Sequence, residues 1–295
     1  MKLLMTLAGF VTLALTGLLY LAFTSSNFDG PVNVILMGGQ SNMAGRANFD
    51  ELDSATVHRI NLASERVYVS TNGKPPVPLN KSYSTIRSNK SAHSRTFGPE
   101  MGLGVAFAEA NPSQNLLLVK TAYGSTSLHG AWNSDWTIEK AEQIEMKSRV
   151  SQKLASAHFF HTKKALKALK HQSRITGMIW MQGETDAQYA FAAEDYEKNI
   201  RRLIYYFRTR FAQPDLSFVI GQINPVGERF THGRSIIREA MQNVSTTDPN
   251  VWLIKTSANP SALDFPKGID GVHYNAQGQW RLGVAFAEAI ENGDR

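Results

Sequence analysis

The sequence has no cysteine among its 295 residues. Because disulfide bonds, thiol nucleophiles and cysteine-ligated metals all need a sulfur atom, this absence excludes all three. A low-complexity tract and a nucleic-acid-binding motif are also missing. The formal net charge of +6 is compatible with acidic glycans or lipid headgroups as partners. We interpret Lys and Arg as spread along the chain without a basic tract, so no nucleic-acid partner is expected.

Charged residues are absent from residues 3–23, which follow Met1 and Lys2. Such a run is typical of a secretory signal peptide or of a membrane-spanning helix, which needs about 20 apolar residues. We expect residues 1–26 to be a cleaved export signal, with an uncleaved membrane anchor through residues 3–23 as the alternative. A buried core helix is a third interpretation. The sequence thus predicts a protein exported to the periplasm or the extracellular space.

Apolar runs suited to buried strands alternate with helical patterns across one predicted domain, residues 31–291. The predicted strands are residues 32–37, 116–119, 178–181, 218–223 and 251–254. The predicted helices are residues 102–110, a long segment around 138–171, 196–211, 235–243 and 276–290. This α/β alternation predicts a mostly parallel sheet in a three-layer α/β/α sandwich, with functional groups at the carboxyl ends of the strands. Residues 70–96 lack periodicity and are predicted to form a long surface loop.

Residues 38–46, GGQSNMAGR, come directly after the first predicted strand. A serine in a tight strand-to-helix turn exposes its Oγ, and the backbone N–H groups and the helix dipole there favour an oxyanion. Ser41 is therefore a candidate nucleophile, with Gln40 and Asn42 beside it. The segment is not a G-x-S-x-G elbow, because Met43 occupies the second glycine position. Taken alone, it is equally compatible with a phosphate-binding turn or a helix cap.

Asp270 and His273 are three residues apart, just before the last predicted helix. A carboxylate at this spacing can reach Nδ1 of the imidazole and hold Nε2 toward a nucleophile. An isolated D-x-x-H pair more often caps or pairs locally. Its occurrence after the serine turn, in the order Ser, Asp, His, favours a catalytic role.

Residues 182–186, QGETD, follow a predicted central strand, where an open parallel sheet builds its site. The side-chain amide of Gln182 is a candidate oxyanion donor. Glu184 is a candidate for orienting substrate, holding the His273 ring or positioning a neighbouring loop. For Asp186, capping of the next helix is an equally good interpretation.

Gly124 follows another predicted strand, within the segment YGSTSL at residues 123–128. A glycine at a strand end lets its backbone N–H approach a ligand closely, as an oxyanion donor must. Alone, the segment is only a turn.

Five other residues invite a functional interpretation. Trp132 and Trp136 are candidates for a sugar-stacking platform, although packing in the core or rim explains them equally well. Arg46 is a candidate for binding a substrate carboxylate, but we favour an ion pair with Asp or Glu. His158 and His161 are interpreted as a solvated helix face, and no metal site is expected there.

These segments together resemble the sialate O-acetylesterase-like domain of the SGNH hydrolases, which includes carbohydrate esterase family six and its acetylxylan esterases. The segments that carry the resemblance are GQSNM at 39–43, FGPE at 97–100, GSTS at 124–127, QGETD at 182–186 and D-x-x-H at 270–273. The resemblance covers about residues 31–291. It implies a flavodoxin-like fold and hydrolysis of O-acetyl esters on sugars, without a metal or other cofactor.

The resemblance implies specific residue roles. Ser41 is the nucleophile, and His273 and Asp270 are its partners. The backbone N–H groups of Ser41 and Gly124 are oxyanion donors, and Gln182 is the third. The mechanism implied is acyl transfer through an acetyl-enzyme.

The chain departs from the family pattern in one segment. The family often has two glycines before the threonine of GSTS, whereas Ser125 stands at the second position here, so the turn is expected to differ locally. Because Gln182 takes the place of the oxyanion asparagine of the wider superfamily, Asn42 is not given that role. Gln40, Asn42 and Glu184 are expected to support the site or to contact substrate.

Two other functions stay open. An esterase or thioesterase acting on lipid acyl chains would use the same chemistry. A glycan-binding module without activity is the alternative from another class, although the joint presence of Ser41, Asp270 and His273 argues against it. The O-acetylated carbohydrate remains unspecified, because sialic acid, xylan and other acetylated polysaccharides fit equally well.

Overall fold

The computed structural model describes residues 28–85, 95–259 and 262–293. The expected export segment, residues 1–26, lies outside them. In the part of the chain that is described, no helix is long and apolar enough to cross a membrane.

A mostly parallel sheet lies at the centre of the fold. Its strands are β1 (Val32–Gly39), β3 (Val67–Thr71), β4 (Val77–Pro78), β7 (Asn115–Ala122), β8 (Ser173–Met181), β9 (Phe218–Gly221) and β10 (Val251–Ile254). Their order is β10-β9-β8-β1-β7-β3-β4, and only β4 runs antiparallel to its neighbour. The order β7-β1-β8-β9-β10 is that of a flavodoxin-like sheet, and β3 and β4 extend one edge. The predicted fold class is thus confirmed.

Helices cover both faces of this sheet. They are α1 (Ser41–Ala44), α2 (Ser54–Ala63), α3 (Glu100–Ala110), α4 (Ile138–Glu142), α5 (Leu154–Ala168), α6 (Ala190–Glu194), α7 (Tyr196–Phe211), α8 (Gly233–Thr247) and α9 (Ala276–Gly293). Helices α2, α3 and α9 pack together on one face, whereas α5, α7 and α8 pack on the other. Because both faces are covered, β1, β7 and β8 are almost continuous apolar runs.

The register of the sheet brings the candidate segments to one edge. Gly39, the last residue of β1, pairs with Ala122 of β7 on one side and with Met181 of β8 on the other. The chain segments that follow these three residues begin with Gln40, Tyr123 and Gln182. The motifs around Ser41, Gly124 and Gln182 therefore leave the sheet side by side.

The single long helix predicted around residues 138–171 is wrong. The chain instead forms α4, turns through residues 143–153, and then forms α5. A buried carboxylate explains the interruption. Glu145 accepts hydrogen bonds through Oε1 from the backbone N–H groups of Ser127 (2.8 Å) and Ala131 (3.0 Å), and a continuous helix would carry it away from them.

Residues 70–96 are only partly the predicted surface loop. They include the end of β3, the edge strand β4 and two strands of a small antiparallel sheet formed by β2 (Ala47–Asn48), β5 (Ser84–Thr85) and β6 (Arg95–Phe97). Strand β3 is buried against β7 and was missed, because it is a short run that overlaps the start of this segment.

Candidate active site

Ser41 begins the short helix α1, two residues after Gly39 at the end of β1. As the first helical residue, it has a backbone N–H with no acceptor inside the helix, and it lies at the positive end of the helix dipole. The residue is 5% exposed. The serine turn thus combines a largely buried hydroxyl with a free backbone donor.

A buried ion pair supports this helix from inside the fold. Lys120 Nζ lies 2.9 Å from Glu100 Oε2, and both side chains are almost completely buried. Lys120 Nζ also donates to the carbonyl of Ala44, at the end of α1 (3.3 Å). Glu100 accepts a hydrogen bond from the backbone N–H of Gly98 (3.0 Å). A charge pair in the core therefore fixes the end of the serine helix.

Ser41, His273 and Asp270 form a continuous chain of hydrogen bonds. His273 Nε2 lies 2.9 Å from Ser41 Oγ, and His273 Nδ1 lies 2.6 Å from Asp270 Oδ2. These distances lie within the range expected for a nucleophile, its base and the carboxylate that orients the base. The structure thus brings together three residues that the sequence separates by up to 232 positions.

The local loop holds Asp270 as a carboxylate. Its Oδ1 accepts hydrogen bonds from the backbone N–H groups of Val272 and His273, both at 2.9 Å. Partial burial raises the pKa of Asp270, but the hydrogen bonds from His273 and Val272 outweigh burial and bring the pKa below its usual value. An ionised Asp270 accepts the Nδ1 hydrogen of His273, which leaves Nε2 free to accept a proton from Ser41.

Gly124 lies directly beside the serine. A Cβ placed on Gly124 would be 3.4 Å from Ser41 Cβ. The next residue, Ser125, has a φ of 57°, in the left-handed region that favours glycine. Thr126 Oγ1 donates to the carbonyl of Tyr123 across this turn (2.7 Å). The chain therefore keeps a glycine-like backbone at the position where the family's second glycine is replaced.

The role expected for Gln182 as third oxyanion donor does not fit the structure. Gln182 is completely buried, and its Nε2 faces three acceptors of the protein itself. These are Asp186 Oδ2 (2.5 Å), the carbonyl of Thr126 (3.1 Å) and Gln40 Oε1 (3.2 Å). An amide has only two hydrogens on this nitrogen, so none remains for substrate. Gln182 instead joins the serine turn to the segment around Thr126.

Asn42 and Glu184 clamp the loop that carries His273. Asn42 Nδ2 donates to Glu184 Oε1 (2.6 Å) and to the carbonyl of Val272 (3.1 Å), and Asn42 Oδ1 accepts from the backbone N–H of Tyr274 (3.1 Å). The clamp thus grips the residues on both sides of His273. Of the roles open to Glu184, the structure favours the positioning of a neighbouring loop. Burial raises the pKa of Glu184, while the Asn42 hydrogen bond and the charge of His273 act against the rise.

Two buried carboxylates fix the segment that follows Gly124. Asp186 accepts hydrogen bonds from the backbone N–H groups of Leu128 (3.0 Å) and His129 (2.9 Å), so its side chain is not a helix cap. Glu145 Oε1 accepts from the N–H (2.8 Å) and the hydroxyl (2.6 Å) of Ser127. Glu145 was missed in the sequence, because it resembles an acidic surface residue in a helical pattern.

Arg46 does not form the ion pair favoured from the sequence. Its side chain is exposed, and within the described ranges it has no hydrogen-bond or ion-pair partner. Arg46 Nη2 would lie 3.5 Å from a Cβ on Gly124. Arg46 also lines a cavity of about 590 Å³ beside His273, together with Asn48, Glu51, Thr96, Ile269, Asp270, Tyr274 and Asn275. The Arg46 guanidinium therefore stands at the mouth of the site without a partner among the described residues.

His158 and Trp132 lie in the core. The interpretation of His158 as part of a solvated helix face is wrong, since His158 is completely buried and its Nδ1 lies 2.9 Å from Thr121 Oγ1. Burial lowers the pKa of His158 to about 3. Trp132 is also fully buried, at 5.0 Å from the ring of Trp180, and cannot stack on a sugar. Trp136 is half-buried, and Lys153 Nζ lies over its ring at 4.2 Å from the centroid.

An exposed aromatic pair was missed in the sequence. The rings of Tyr189 and Phe191 lie 5.8 Å apart, and Phe191 contacts His129 at 5.0 Å between ring centroids. Both are among the exposed large hydrophobic residues.

Between residues 28 and 293, apart from the gaps, no group of three or more His, Asp or Glu side chains is arranged to hold a metal ion.

A family model described as "Carbohydrate esterase, sialic acid-specific acetylesterase" matches residues 31–292. No curated protein sequence matches the chain.

Three solved structures are similar in fold. A protein from Arabidopsis thaliana has a TM-score of 0.65 and 20% identity, over 88% of this chain and 98% of that one. NanS has a TM-score of 0.57 and 15% identity, over 90% of this chain and 98% of that one. A carbohydrate acetylesterase from Xanthomonas citri has a TM-score of 0.56 and 16% identity, over 88% of this chain and 56% of that one.

Proposed function

The chain belongs to the carbohydrate esterase family of sialic acid-specific acetylesterases and is a carboxylic ester hydrolase; we propose that it removes O-acetyl groups from sugars with Ser41, His273 and Asp270 as its catalytic triad. The observation that carries the proposal is the hydrogen-bond chain from Ser41 Oγ through the His273 ring to Asp270, with links of 2.9 Å and 2.6 Å.

The triad performs the reaction in two halves. Ser41 Oγ attacks the carbonyl carbon of the acetyl ester while His273 Nε2 takes its proton. His273 then gives that proton to the departing sugar oxygen, and an acetyl-enzyme is left on Ser41. In the second half, water attacks the acetyl-enzyme, His273 takes the proton of water and returns it to Ser41 Oγ, and acetate leaves. Asp270 stabilises the imidazolium in both halves.

Two backbone N–H groups donate hydrogen bonds to the carbonyl oxygen as negative charge forms on it. The N–H of Ser41 lies at the start of α1, where the helix dipole favours an anion. The N–H of Gly124 lies on the chain beside it, since a Cβ there would be 3.4 Å from Ser41 Cβ. Donors held in place before the reaction stabilise the tetrahedral intermediate without reorganising. Gln182 supports these two donors indirectly, because its side-chain amide binds Gln40 and the carbonyl of Thr126.

Arg46 favours an acidic sugar as the substrate. A guanidinium binds a carboxylate through two parallel hydrogen bonds. Arg46 is exposed next to Gly124 and has no hydrogen-bond or ion-pair partner in residues 28–85, 95–259 and 262–293. The description of the matched family also names sialic acid, which carries a carboxylate. The exposed pair Tyr189 and Phe191, near the segment after Gly124, supplies apolar faces for a sugar ring.

Residues 1–26 direct the protein out of the cytoplasm in this proposal. The uncharged run at residues 3–23 supports export, either with cleavage or as an anchor. Export would bring the enzyme to acetylated glycans that lie outside the cytoplasm.

Acetate release from a panel of esters tests the proposal. The panel contains O-acetylated sialic acid, acetylated xylan, p-nitrophenyl acetate and p-nitrophenyl octanoate, and it compares the wild type with Ser41→Ala. We expect release from the acetyl esters, a strong preference for acetate over octanoate, and loss of release in the variant with its fold intact. Faster octanoate hydrolysis would favour a lipid esterase, and glycan binding without release would favour a binding module.

A further inference from the structure

The charge of the chain is uneven along its length, contrary to the expectation of a general spread. From residue 146 to 183 there is no Asp or Glu, whereas Lys or Arg occurs eight times. The formal charge of this stretch alone is larger than the net charge of +6 of the whole chain, so the remaining residues together carry a small net negative charge. Helix α5 lies in the middle of the stretch.

The cations of α5 share one face. Phe160, Lys163, Lys164 and Lys167 are exposed at spacings of three and four residues, which places them in one stripe of the helix. Lys170 is also exposed, two residues after the helix ends at Ala168. Phe160 is 63% exposed, although it is a large apolar residue.

The neighbouring helix α7 adds another cation to this stripe. Arg210 is exposed, and its guanidinium lies over the ring of Phe159 at 5.4 Å from the centroid, next to Phe160 in the chain. We call the set Phe160, Lys163, Lys164, Lys167, Lys170 and Arg210 the α5 basic face.

We propose that the α5 basic face docks on a membrane surface that contains anionic phospholipids. Lysines and arginines around an exposed aromatic residue are the composition of helices that lie in the headgroup region. The cations are attracted by the negative surface, and Phe160 enters the boundary between headgroups and acyl chains.

The course of the chain supports a lipid rather than another polyanion. The backbone N–H of Val32 donates to the carbonyl of Gln172 (3.0 Å), two residues after Lys170. The chain therefore enters the fold next to one end of the α5 basic face. Between the uncharged run at 3–23 and Val32 there are eight residues, which reach at most about 28 Å when extended. A run held in a bilayer would keep this end of the face close to the headgroups.

The placement also leaves the active site accessible. Val32 lies at the amino end of β1, and Ser41 follows its carboxyl end. Eight strand residues span about 25 Å, so the site opens on the opposite edge from the entry of the chain. Docking near the entry would turn the catalytic edge away from the membrane, toward glycans in solution.

Partition of the full chain between two kinds of vesicle tests the proposal. One kind is phosphatidylcholine alone, and the other contains phosphatidylglycerol as well. The uncharged N-terminal run contributes equally to both, so the ratio of the two partition coefficients isolates the electrostatic part. The test variant is Lys163→Gln/Lys167→Gln/Lys170→Gln. The control variant, Lys81→Gln/Lys147→Gln/Lys255→Gln, removes the same charge from exposed lysines outside the face.

We expect the test variant to lower the preference for anionic vesicles by about tenfold or more, because each lysine near an anionic surface contributes severalfold. The control variant should keep the preference, and Phe160→Ser should weaken binding without changing its salt dependence. Acetyl-ester hydrolysis should be unchanged in all three, which confirms their fold. An equal loss in both triple variants, or a loss in neither, contradicts the proposal. A loss of binding to single-stranded DNA or an acidic polysaccharide, with vesicle preference intact, also overturns it.

Discussion

At the residue scale, the candidate site is built from side chains that lie far apart in the sequence but meet at one edge of the sheet. The proximity of Ser41, Asp270 and His273 agrees with what the serine turn after β1 and the D-x-x-H spacing predict, and their catalytic roles stay a prediction. Gln182 could not be assigned correctly. Its role depends on Asp186 and Gln40, whose distances from the amide appear only in the folded chain.

Replacement of Asn42 tests the clamp on the His273 loop. In Asn42→Ala, the links to Glu184, to the Val272 carbonyl and to the Tyr274 N–H are all lost. We expect kcat to fall by about 100-fold with KM little changed, because a shift of about 1 Å in a catalytic group has this effect. Steady-state kinetics with p-nitrophenyl acetate measure it. A rise in KM with unchanged kcat would instead place Asn42 in substrate binding.

Replacement of Arg46 tests recognition of an acidic sugar. The Arg46→Gln variant removes the charge but leaves a shorter polar side chain. We expect kcat/KM for O-acetylated sialic acid to fall by about tenfold or more, as for the loss of a charge-assisted hydrogen bond. Hydrolysis of p-nitrophenyl acetate, which has no carboxylate, is the internal control and should be unaffected. Equal losses on both esters would show that Arg46 acts on the triad and not on the acidic group.

At the scale of elements, the strands were easier to predict than the connections. Strands β1, β7, β8, β9 and β10 are apolar runs whose length and burial follow from a sheet covered on both faces. The break between α4 and α5 could not be predicted. It depends on Glu145 reaching Ser127, a long-range contact that leaves no local mark in a helical pattern.

Replacement of Glu145 tests how the segment after Gly124 is held. In Glu145→Ala, the backbone N–H groups of Ser127 and Ala131 lose their shared acceptor, Oε1, in a buried place. We expect a lower free energy of unfolding, by about 1–3 kcal/mol for each unsatisfied donor, and a lower kcat because Gly124 loses its support. Denaturant unfolding and acetate release measure the two effects. Glu145→Gln keeps an acceptor oxygen and should restore much of both, and failure to do so would assign the effect to the charge.

At the scale of the whole molecule, stability depends on pH through a histidine that the sequence did not identify as buried. His158 has a pKa of about 3 in the folded protein, because burial opposes its charged form, against about 6.5 when exposed. The unfolded chain therefore binds one more proton between these values. The contribution of neutral His158 to the free energy of unfolding is therefore fully present above pH 6.5 and decreases as the pH falls toward 3.

The variant His158→Phe isolates this contribution. His158 packs against Phe207 at 5.5 Å between ring centroids, so an apolar ring suits its place. We expect the free energy of unfolding of the wild type to fall with acidification faster than that of the variant, by about 1.4 kcal/mol per pH unit below pH 6.5. Denaturant unfolding at several pH values measures the difference. Parallel curves for the two proteins would show that His158 does not contribute.

The central claim is that Ser41 is a nucleophile activated by His273. The most direct measurement is labelling with a fluorophosphonate, which reacts covalently with an activated serine, followed by mass spectrometry of the peptides. We predict one adduct, on Ser41, which is absent in Ser41→Ala and forms much more slowly in His273→Ala, because Nε2 no longer takes the proton (2.9 Å from Oγ in the wild type). An adduct on a different serine, or hydrolytic activity without any adduct on Ser41, would contradict the account.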